Sequence, residues 1–257
     1  MSQHFNPTRF GRLLRKHTAE HLPSYAMSTA VLAGGVLVVL GTLTYITHRP
    51  LERELQIVIF IFGALAAGAI FTASVFAELG QPRGAAPALL LPASHFEKYL
   101  VAWLYSLPVF GVVYTVVFMT INFLVLQVGS QGKPYEVYDF SRGASEWVTP
   151  LLSYALLHSL ALWGAIFFRR LHVIKTAFAV FGTLLVLIIA NLRLLKSLLP
   201  VQGVTMPFSD VWVGTGAQHM MLSLPDSQQH LVLLLVPAAL ALLLWAAAYA
   251  RLTEKQI

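Results

Sequence analysis

Long runs of apolar residues recur six times along the chain, and each run lacks Asp, Glu, Lys and Arg. They cover residues Tyr25–Thr47, Ile57–Ala77, Tyr99–Val128, Val148–Phe168, Thr176–Leu192 and Leu231–Ala250. A hydrocarbon core about 30 Å thick is crossed by roughly 20 residues of α-helix, and five of the six runs are close to that length. The pattern predicts an all-α, polytopic membrane protein with six transmembrane helices.

The polar segments between these runs predict the orientation. Eleven of the 17 Lys and Arg residues lie on the side that holds both termini, and the other side holds most of the acidic residues. Positive residues are retained on the cytoplasmic side of a membrane protein. We therefore predict an integral membrane protein with both termini in the cytoplasm. The net charge of +6 then reflects topology and lipid attraction rather than binding to nucleic acid.

The first 24 residues are polar and basic. Apolar positions alternate with cations at helical spacing between Phe5 and Leu22, which predicts a short amphipathic helix on the cytoplasmic leaflet that lies flat before Pro23 turns the chain into the bilayer. A plain positively charged anchor is the alternative. The residues assigned to this helix are Phe10, Arg12, Leu13, Leu14, Arg15 and Lys16. Residues 25–257 are predicted to form a single six-helix transmembrane domain.

The cytoplasmic loop Glu78–Lys98 carries a helix-start signal. Ser94 and Glu97 fit a capping box, in which the Ser side chain accepts from the third helical N–H and the Glu side chain accepts from the N–H of the cap. A helix is thus predicted to begin in the cytoplasm and to continue into the third span. Because that span is about 45 Å long as a straight helix, we expect a bend at Pro108 and Gly111.

Outside the membrane, the segment Arg193–His230 before the last span mixes three prolines with short apolar pieces, which are Leu194–Leu199, Val211–Val213 and Met220–Leu224. None of these pieces is long enough to span. They predict a partly apolar extracytoplasmic insert whose helices re-enter the bilayer or rest on it.

Two short motifs carry a family resemblance. Residues Leu91-Pro92-Ala93-Ser94-His95-Phe96-Glu97-Lys98 and Arg9-Phe10-Gly11-Arg12-Leu13-Leu14-Arg15, together with the six-span layout, resemble bacterial ABC-2 type transporter permeases. The resemblance implies that the loop between spans two and three couples to a cytoplasmic ABC ATPase subunit, braced by the N-terminal helix. It also implies a second permease subunit, identical or related, and a location in the bacterial cytoplasmic (inner) membrane. The implied coupling residues are Leu91, Pro92, Ala93, Ser94, Glu97 and Lys98.

Several chemistries lack the residues that they need. No G-x-x-x-x-G-K-[ST] motif occurs, so ATP and Mg²⁺ would bind in the partner subunit and this chain would not be an enzyme. The chain has no Cys, which excludes disulfides and thiolate metal sites. The pair His17/His21 and the run His219-Met220-Met221 have too few further ligands for a metal site.

His158 is the only ionisable side chain deep in a predicted span. A relay for coupling ions normally uses intramembrane carboxylates or bases, and a b-type haem would need a second His at depth, so neither is favoured. His158 could line a transport path, but a hydrogen-bonded packing role near Ser153, Tyr154 and Ser159 is the simpler interpretation. The same choice applies to polar residues of spans two and three, namely Thr72, Ser74, Tyr114, Thr115 and Asn122.

The sequence therefore predicts the transmembrane subunit of an ABC-2 type exporter that moves a hydrophobic or amphipathic compound with energy from a separate ATPase. The alternative is a non-transporting accessory subunit that organises a larger membrane complex. A membrane enzyme acting on lipid is a third possibility, but it would need clustered carboxylates and His in the loops, which the sequence lacks.

Overall fold

The computed structural model describes residues 5–80, 94–130, 132, 134–137, 144–168, 172–199, 211–215, 218–222 and 226–254. Helices account for most of them. Their bounds are α1 Pro7–Thr47, α2 Arg53–Gly80, α3 His95–Leu104, a π turn Tyr105–Val109, α4 Phe110–Gly129, α5 Ala144–Phe167, α6 His172–Leu198 and α7 Asp226–Glu254. Two strands, β1 Val211–Thr215 and β2 Gln218–Leu222, complete the elements.

Each of the six apolar runs lies in a helix that is long and apolar enough to cross a membrane. The third of these helices is composite, because α3, the π turn and α4 follow one another without a break from His95 to Gly129. The prediction of an all-α polytopic membrane protein with six spanning helices is confirmed at this level of length and composition.

The N-terminal segment differs from its prediction. It is helical, but α1 continues through Pro23, so no separate flat helix ends there. An internal proline removes one helical hydrogen bond without necessarily ending the helix. Contacts on both sides of Pro23 hold the two halves in line, because His17 hydrogen-bonds to the Tyr25 hydroxyl (2.7 Å) and the Tyr105 ring contacts both residues.

One core cluster joins α1, α2, α4 and α5. The side chains of Leu40, Tyr114, Phe118 and Leu126 at its centre are at most 1% exposed. The Tyr114 hydroxyl in this cluster donates to the Phe60 carbonyl (2.8 Å). These contacts confirm for Tyr114 the packing role that its sequence context favoured.

A second set of polar contacts in this region holds the start of α2, where Gln56 lies. The Gln56 amide donates to the carbonyls of Leu51 (2.8 Å) and Glu136 (2.9 Å). Because both of these partners are acceptors, the side-chain oxygen of Gln56 faces Asn122, whose Nδ2 donates to it at 2.9 Å. Asn122 thus also binds a neighbouring helix.

A second core cluster joins α3, α5 and α7. It is built from Tyr99 and Ala102 of α3, from Leu162, Ala165 and Ile166 of α5, and from Ala248 and Leu252 of α7. Helix α5 packs against α2, α6 and α7 and is therefore the central helix of the bundle. The α7 residue Arg251 lies over the Phe167 ring of α5, and Tyr249 of α7 contacts Phe96 of α3. The Phe5 ring, just before α1, contacts the same Phe96 ring, so the start of α1 and the end of α7 lie at one end of the bundle, which we call the terminal side.

The close approach of α5 and α6 depends on Gly164. A Cβ added to Gly164 would overlap three side-chain atoms of Thr176, including its Cβ, so a change of the Thr rotamer would not relieve the overlap. We expect Gly164→Ala to cost about 1–3 kcal/mol of stability through overpacking, which exceeds the roughly 1 kcal/mol that Ala gains over Gly in a helix.

The matched control is Gly182→Ala in α6, where an added Cβ meets nothing within 4 Å. Thermal unfolding in detergent should show a lower midpoint for Gly164→Ala and an unchanged or higher midpoint for Gly182→Ala. Equal midpoints for the two variants would mean that α5 and α6 do not approach at Gly164.

The expected irregularity in the third span lies at Pro108, inside the π turn, whereas Gly111 lies in the regular helix α4. Proline has no N–H and crowds the carbonyl four residues earlier, and a wider π turn relieves that crowding. The Phe110 N–H donates to the Tyr105 carbonyl rather than to that of Ser106. The Ser106 carbonyl instead accepts from the Tyr154 hydroxyl of α5 (2.9 Å).

The insert before the last span also differs from its prediction. Its first apolar piece, near Leu194, continues helix α6, and residues 200–210 lie outside the described part. Strands β1 and β2 then pair antiparallel, with Val211 opposite Leu222. The helices expected for Val211–Val213 and Met220–Leu224 are therefore wrong for the described residues of these pieces. Val and Trp favour strands, and Met220–Leu222 becomes a strand by pairing with Val211–Val213.

Candidate functional site

The starts of α1 and α3 lie side by side at the terminal side and share one carboxylate. Ser94 caps α3: its hydroxyl accepts from the Glu97 N–H (3.2 Å), and the Glu97 carboxylate accepts from the Ser94 N–H (2.9 Å). This is the capping box that the sequence predicts, and it is confirmed. Because α3 begins at His95, the helix starts before the apolar run does, as the sequence also predicts.

The Glu97 carboxylate has further partners on α1. Arg9 donates to it twice, from Nε to Oε2 (2.7 Å) and from Nη2 to Oε1 (2.7 Å), and the Asn6 N–H donates to Oε1 (2.9 Å). Paired bonds of this kind between Arg and a carboxylate are among the strongest in proteins. Glu97 is fully buried, so its four donors take the place of water. We call the group of Asn6, Arg9, Ser94 and Glu97 the latch.

The latch also suits the charges at the two helix starts. Asn6 caps α1 by accepting from the N–H groups of Thr8 and Arg9, while its own N–H donates to Glu97. Helix N-termini carry partial positive charge, so a carboxylate between two of them is favoured. The latch therefore fixes the start of α3 to the start of α1.

The other residues singled out from the sequence fall into distinct places. Arg12, Arg15 and Lys16 are exposed, with Lys16 near Glu20 (3.6 Å), while Leu13 and Leu14 are half-buried. The half-buried Phe10 contacts Phe5, whose ring meets Phe96 of α3. Leu91, Pro92 and Ala93 lie outside the described residues.

Lys98 differs from the other cations near the helix starts. Its side chain is 9% exposed, and in the described part of the chain no carboxylate pairs with it. Glu97 and Lys98 are thus both largely buried rather than exposed on the protein surface.

His158 is the centre of a second buried polar group. Its Nδ1 accepts from Trp245 Nε1 of α7 (3.1 Å), and its Nε2 lies 2.8 Å from the Ser106 hydroxyl of the π turn. Indole N–H can only donate, so His158 Nε2 carries the proton and donates to Ser106, whose hydroxyl donates to the Ala102 carbonyl (2.8 Å).

His158 is therefore a hydrogen-bonded packing residue, as the sequence favoured, but its partners differ from the expected ones. Ser159, which is buried, donates to the carbonyl of Leu156 in its own helix. Tyr154 and His158 are four residues apart on one face of α5, and both reach Ser106. Neither Ser106 nor Trp245 was identified from the sequence, because each is an ordinary residue in an apolar run until the helices are brought together.

A cluster of rings lies where α1 passes the π turn. His17 contacts His21 (4.4 Å between ring centroids), and Tyr25 stacks on Tyr105 (5.4 Å). The Tyr105 hydroxyl also hydrogen-bonds to Thr18. In the part of the chain that the structure describes, no three His, Asp or Glu side chains are placed to hold a metal ion.

These features define a class of protein: a polytopic helical membrane protein with six spanning helices, in which a partly buried ion pair joins the starts of α1 and α3 at the terminal side. Comparison with known protein families, characterised proteins and solved structures finds no match for the chain.

Proposed function

We propose that this chain is the transmembrane permease subunit of an ABC-2 type exporter, which moves a hydrophobic or amphipathic substrate with energy from a separate ATPase subunit. The latch is the observation that carries the proposal. A permease that uses a partner's ATP hydrolysis needs a stiff element that carries the partner's motion into its spans. A capped helix continuous with the third span, with its start held by α1, meets that need.

In this proposal the latch residues have an internal role. Glu97 is buried against Arg9, so it holds the start of α3 in place, while the loop residues Leu91, Pro92 and Ala93 supply the contact with the ATPase. The third span then transmits the motion to α5 and α7, since its α3 and π-turn residues pack against both. Two copies of the chain, or this chain and a related one, would enclose the transport path in the bacterial inner membrane, with both termini in the cytoplasm.

The test is co-purification of the tagged, full-length protein in nanodiscs with mass spectrometry of its partners. We expect a soluble ABC ATPase subunit to be recovered, and its yield to fall at least fivefold for Ala93→Asp in the coupling loop. The control is Pro134→Asp, an exposed position between α4 and α5 at the opposite end of the bundle, which should retain the ATPase.

Recovery of membrane subunits alone, with no ATPase, would instead favour the accessory-subunit function. An ATPase whose yield is equal for both variants would place the coupling contact elsewhere on the chain.

A further inference from the structure

A cavity of about 510 Å³ lies between α1 and α2, with the π turn and the start of α4 as its third wall. This volume is within the roughly 300–1,000 Å³ that ligand pockets have. It is lined by residues between Tyr25 and Leu32, between Ala67 and Ser74, and between Tyr105 and Val113. The cavity thus lies in the half of the bundle that is nearer the terminal side.

The walls of this cavity offer a ligand mainly apolar surface, because several of their hydroxyl groups are already hydrogen-bonded within the protein. The hydroxyl of Thr29 donates to the Tyr25 carbonyl (2.8 Å) and that of Ser74 to the Phe71 carbonyl (2.7 Å), so both are occupied within their own helices. The hydroxyls of Tyr25 and Tyr105 are bonded to His17 and Thr18 at the terminal end. A ligand in the cavity would meet mainly hydrocarbon and aromatic rings.

The cavity is open along its side. Met27, Val31 and Ile70, which line it, are each about two-thirds exposed (67–68%). Because α1 and α2 are spanning helices, this opening faces lipid rather than water. Tyr residues are enriched at the membrane interface, so Tyr25 and Tyr105 place the terminal end of this lateral opening, which we call the mouth of the cavity, at the level of the headgroups.

Lys98 supplies a charge beyond this mouth. It precedes Tyr105 by seven residues, which is two helical turns on the same face of α3, or about 10 Å along the axis. The Lys98 residue is only 9% exposed, its ammonium has no carboxylate partner among the described residues, and the neighbouring carboxylate of Glu97 is already bonded to Arg9. An anion bound here would stabilise a charge that is otherwise poorly solvated.

We propose that the cavity holds one acyl chain of an anionic phospholipid of the cytoplasmic leaflet and that Lys98 binds the phosphate of that lipid. The phosphate of a phospholipid follows directly on its acyl chains, so an apolar cavity with a cation just beyond its mouth matches the order of groups in the lipid. This proposal does not rest on the exporter function, since a resident lipid would occupy the same place in an accessory subunit.

The test uses phosphatidylglycerol with a photoactivatable diazirine on one acyl chain, added to nanodiscs that contain the full-length protein. Peptide mass spectrometry should place most adducts in residues 25–32 and 67–74 rather than on the lipid-exposed residues of α6. Ala67→Phe, which fills the cavity, should lower labelling there at least fivefold. Ala66→Phe, at the exposed neighbouring position that does not line the cavity, should leave it within twofold.

The headgroup contact is tested with Lys98→Met, which removes the charge, and Lys98→Arg, which keeps it. In the unsubstituted protein we expect at least threefold more labelling by the phosphatidylglycerol probe than by the same probe with a phosphatidylcholine headgroup. Lys98→Met should abolish this preference and Lys98→Arg should keep it.

Three results would overturn the proposal. Adducts spread evenly over α6 and the cavity would mean that the lipid makes only non-specific contact with the protein surface. Undiminished labelling of Ala67→Phe would exclude the cavity as the binding place. A headgroup preference that is absent from the start, or that survives Lys98→Met, would exclude the role of Lys98.

Discussion

Replacing Glu97 with alanine is expected to lower the thermal unfolding midpoint by roughly 5 °C or more. Its carboxylate accepts four hydrogen bonds, from Asn6, Ser94 and, twice, Arg9. Loss of a helix cap alone costs about 1 kcal/mol, and 1 kcal/mol shifts the midpoint of a chain of this size by about 2–4 °C. The unmade charge-assisted bonds add to that cost.

The matched control is Glu20→Ala, which removes a carboxylate from an exposed pair with Lys16. Exposed pairs of this kind contribute little to stability, so its midpoint should stay near that of the unsubstituted protein. The measurement is thermal unfolding of both variants in the same detergent. Equal unfolding midpoints for Glu97→Ala and Glu20→Ala would show that the latch does not hold the two helix starts together.

The backbone N–H donors in the latch lead to a prediction that would not follow from a simple ion pair. Exchanging the charges, as Arg9→Glu together with Glu97→Arg, should fail to restore the midpoint. An arginine at position 97 would face the Ser94 and Asn6 N–H groups, which are donors and need an acceptor. Recovery in the double variant would mean that only the attraction between the two charges matters.

Replacing His158 with leucine is expected to produce the second largest loss of stability. The substitution leaves the Trp245 indole N–H without its acceptor in an apolar region, and an unpaired buried donor costs about 1–3 kcal/mol. It also removes the link between α5 and the π turn at Ser106. Ser159→Ala is the control on the same helix, because the Ser159 hydroxyl bonds only to its own helix in the contacts described.

A double-mutant cycle separates this hydrogen bond from general packing. Trp245→Phe removes the donor, so the double variant His158→Leu/Trp245→Phe has neither half of the bond unpaired. We expect its loss of stability to be smaller than the sum of the two single losses by about 1 kcal/mol. Additive losses, measured by unfolding in detergent, would show that the two side chains contribute independently.

The parts of this protein that the sequence determined are those that depend on residues close together in the chain. Six uncharged apolar runs require helices, because a backbone in lipid must satisfy its own hydrogen bonds. Ser94 and Glu97 form their capping box across three residues, and Pro108 disturbs its own turn. Each of these features is local, and each was predicted from its spacing.

The errors arose where a local signal was weaker than contacts from elsewhere in the fold. Pro23 indicated a break in α1, yet Tyr105 and the Arg9–Glu97 pair hold the helix on either side of it. Val211–Val213 was assigned to a helix because it is apolar, although pairing with Met220–Leu222 decides that it is a strand.

Only the tertiary structure decided which charges and polar groups have partners. The sequence presented Glu97 and Lys98 as adjacent and equivalent, but the fold binds Glu97 to Arg9, 88 residues away, and gives Lys98 no carboxylate partner in the described part of the chain. Ser106, His158 and Trp245 meet for the same reason. Hydrogen bonds between helices depend on the rotation and depth of each helix, which side-chain packing sets and which no short sequence pattern encodes.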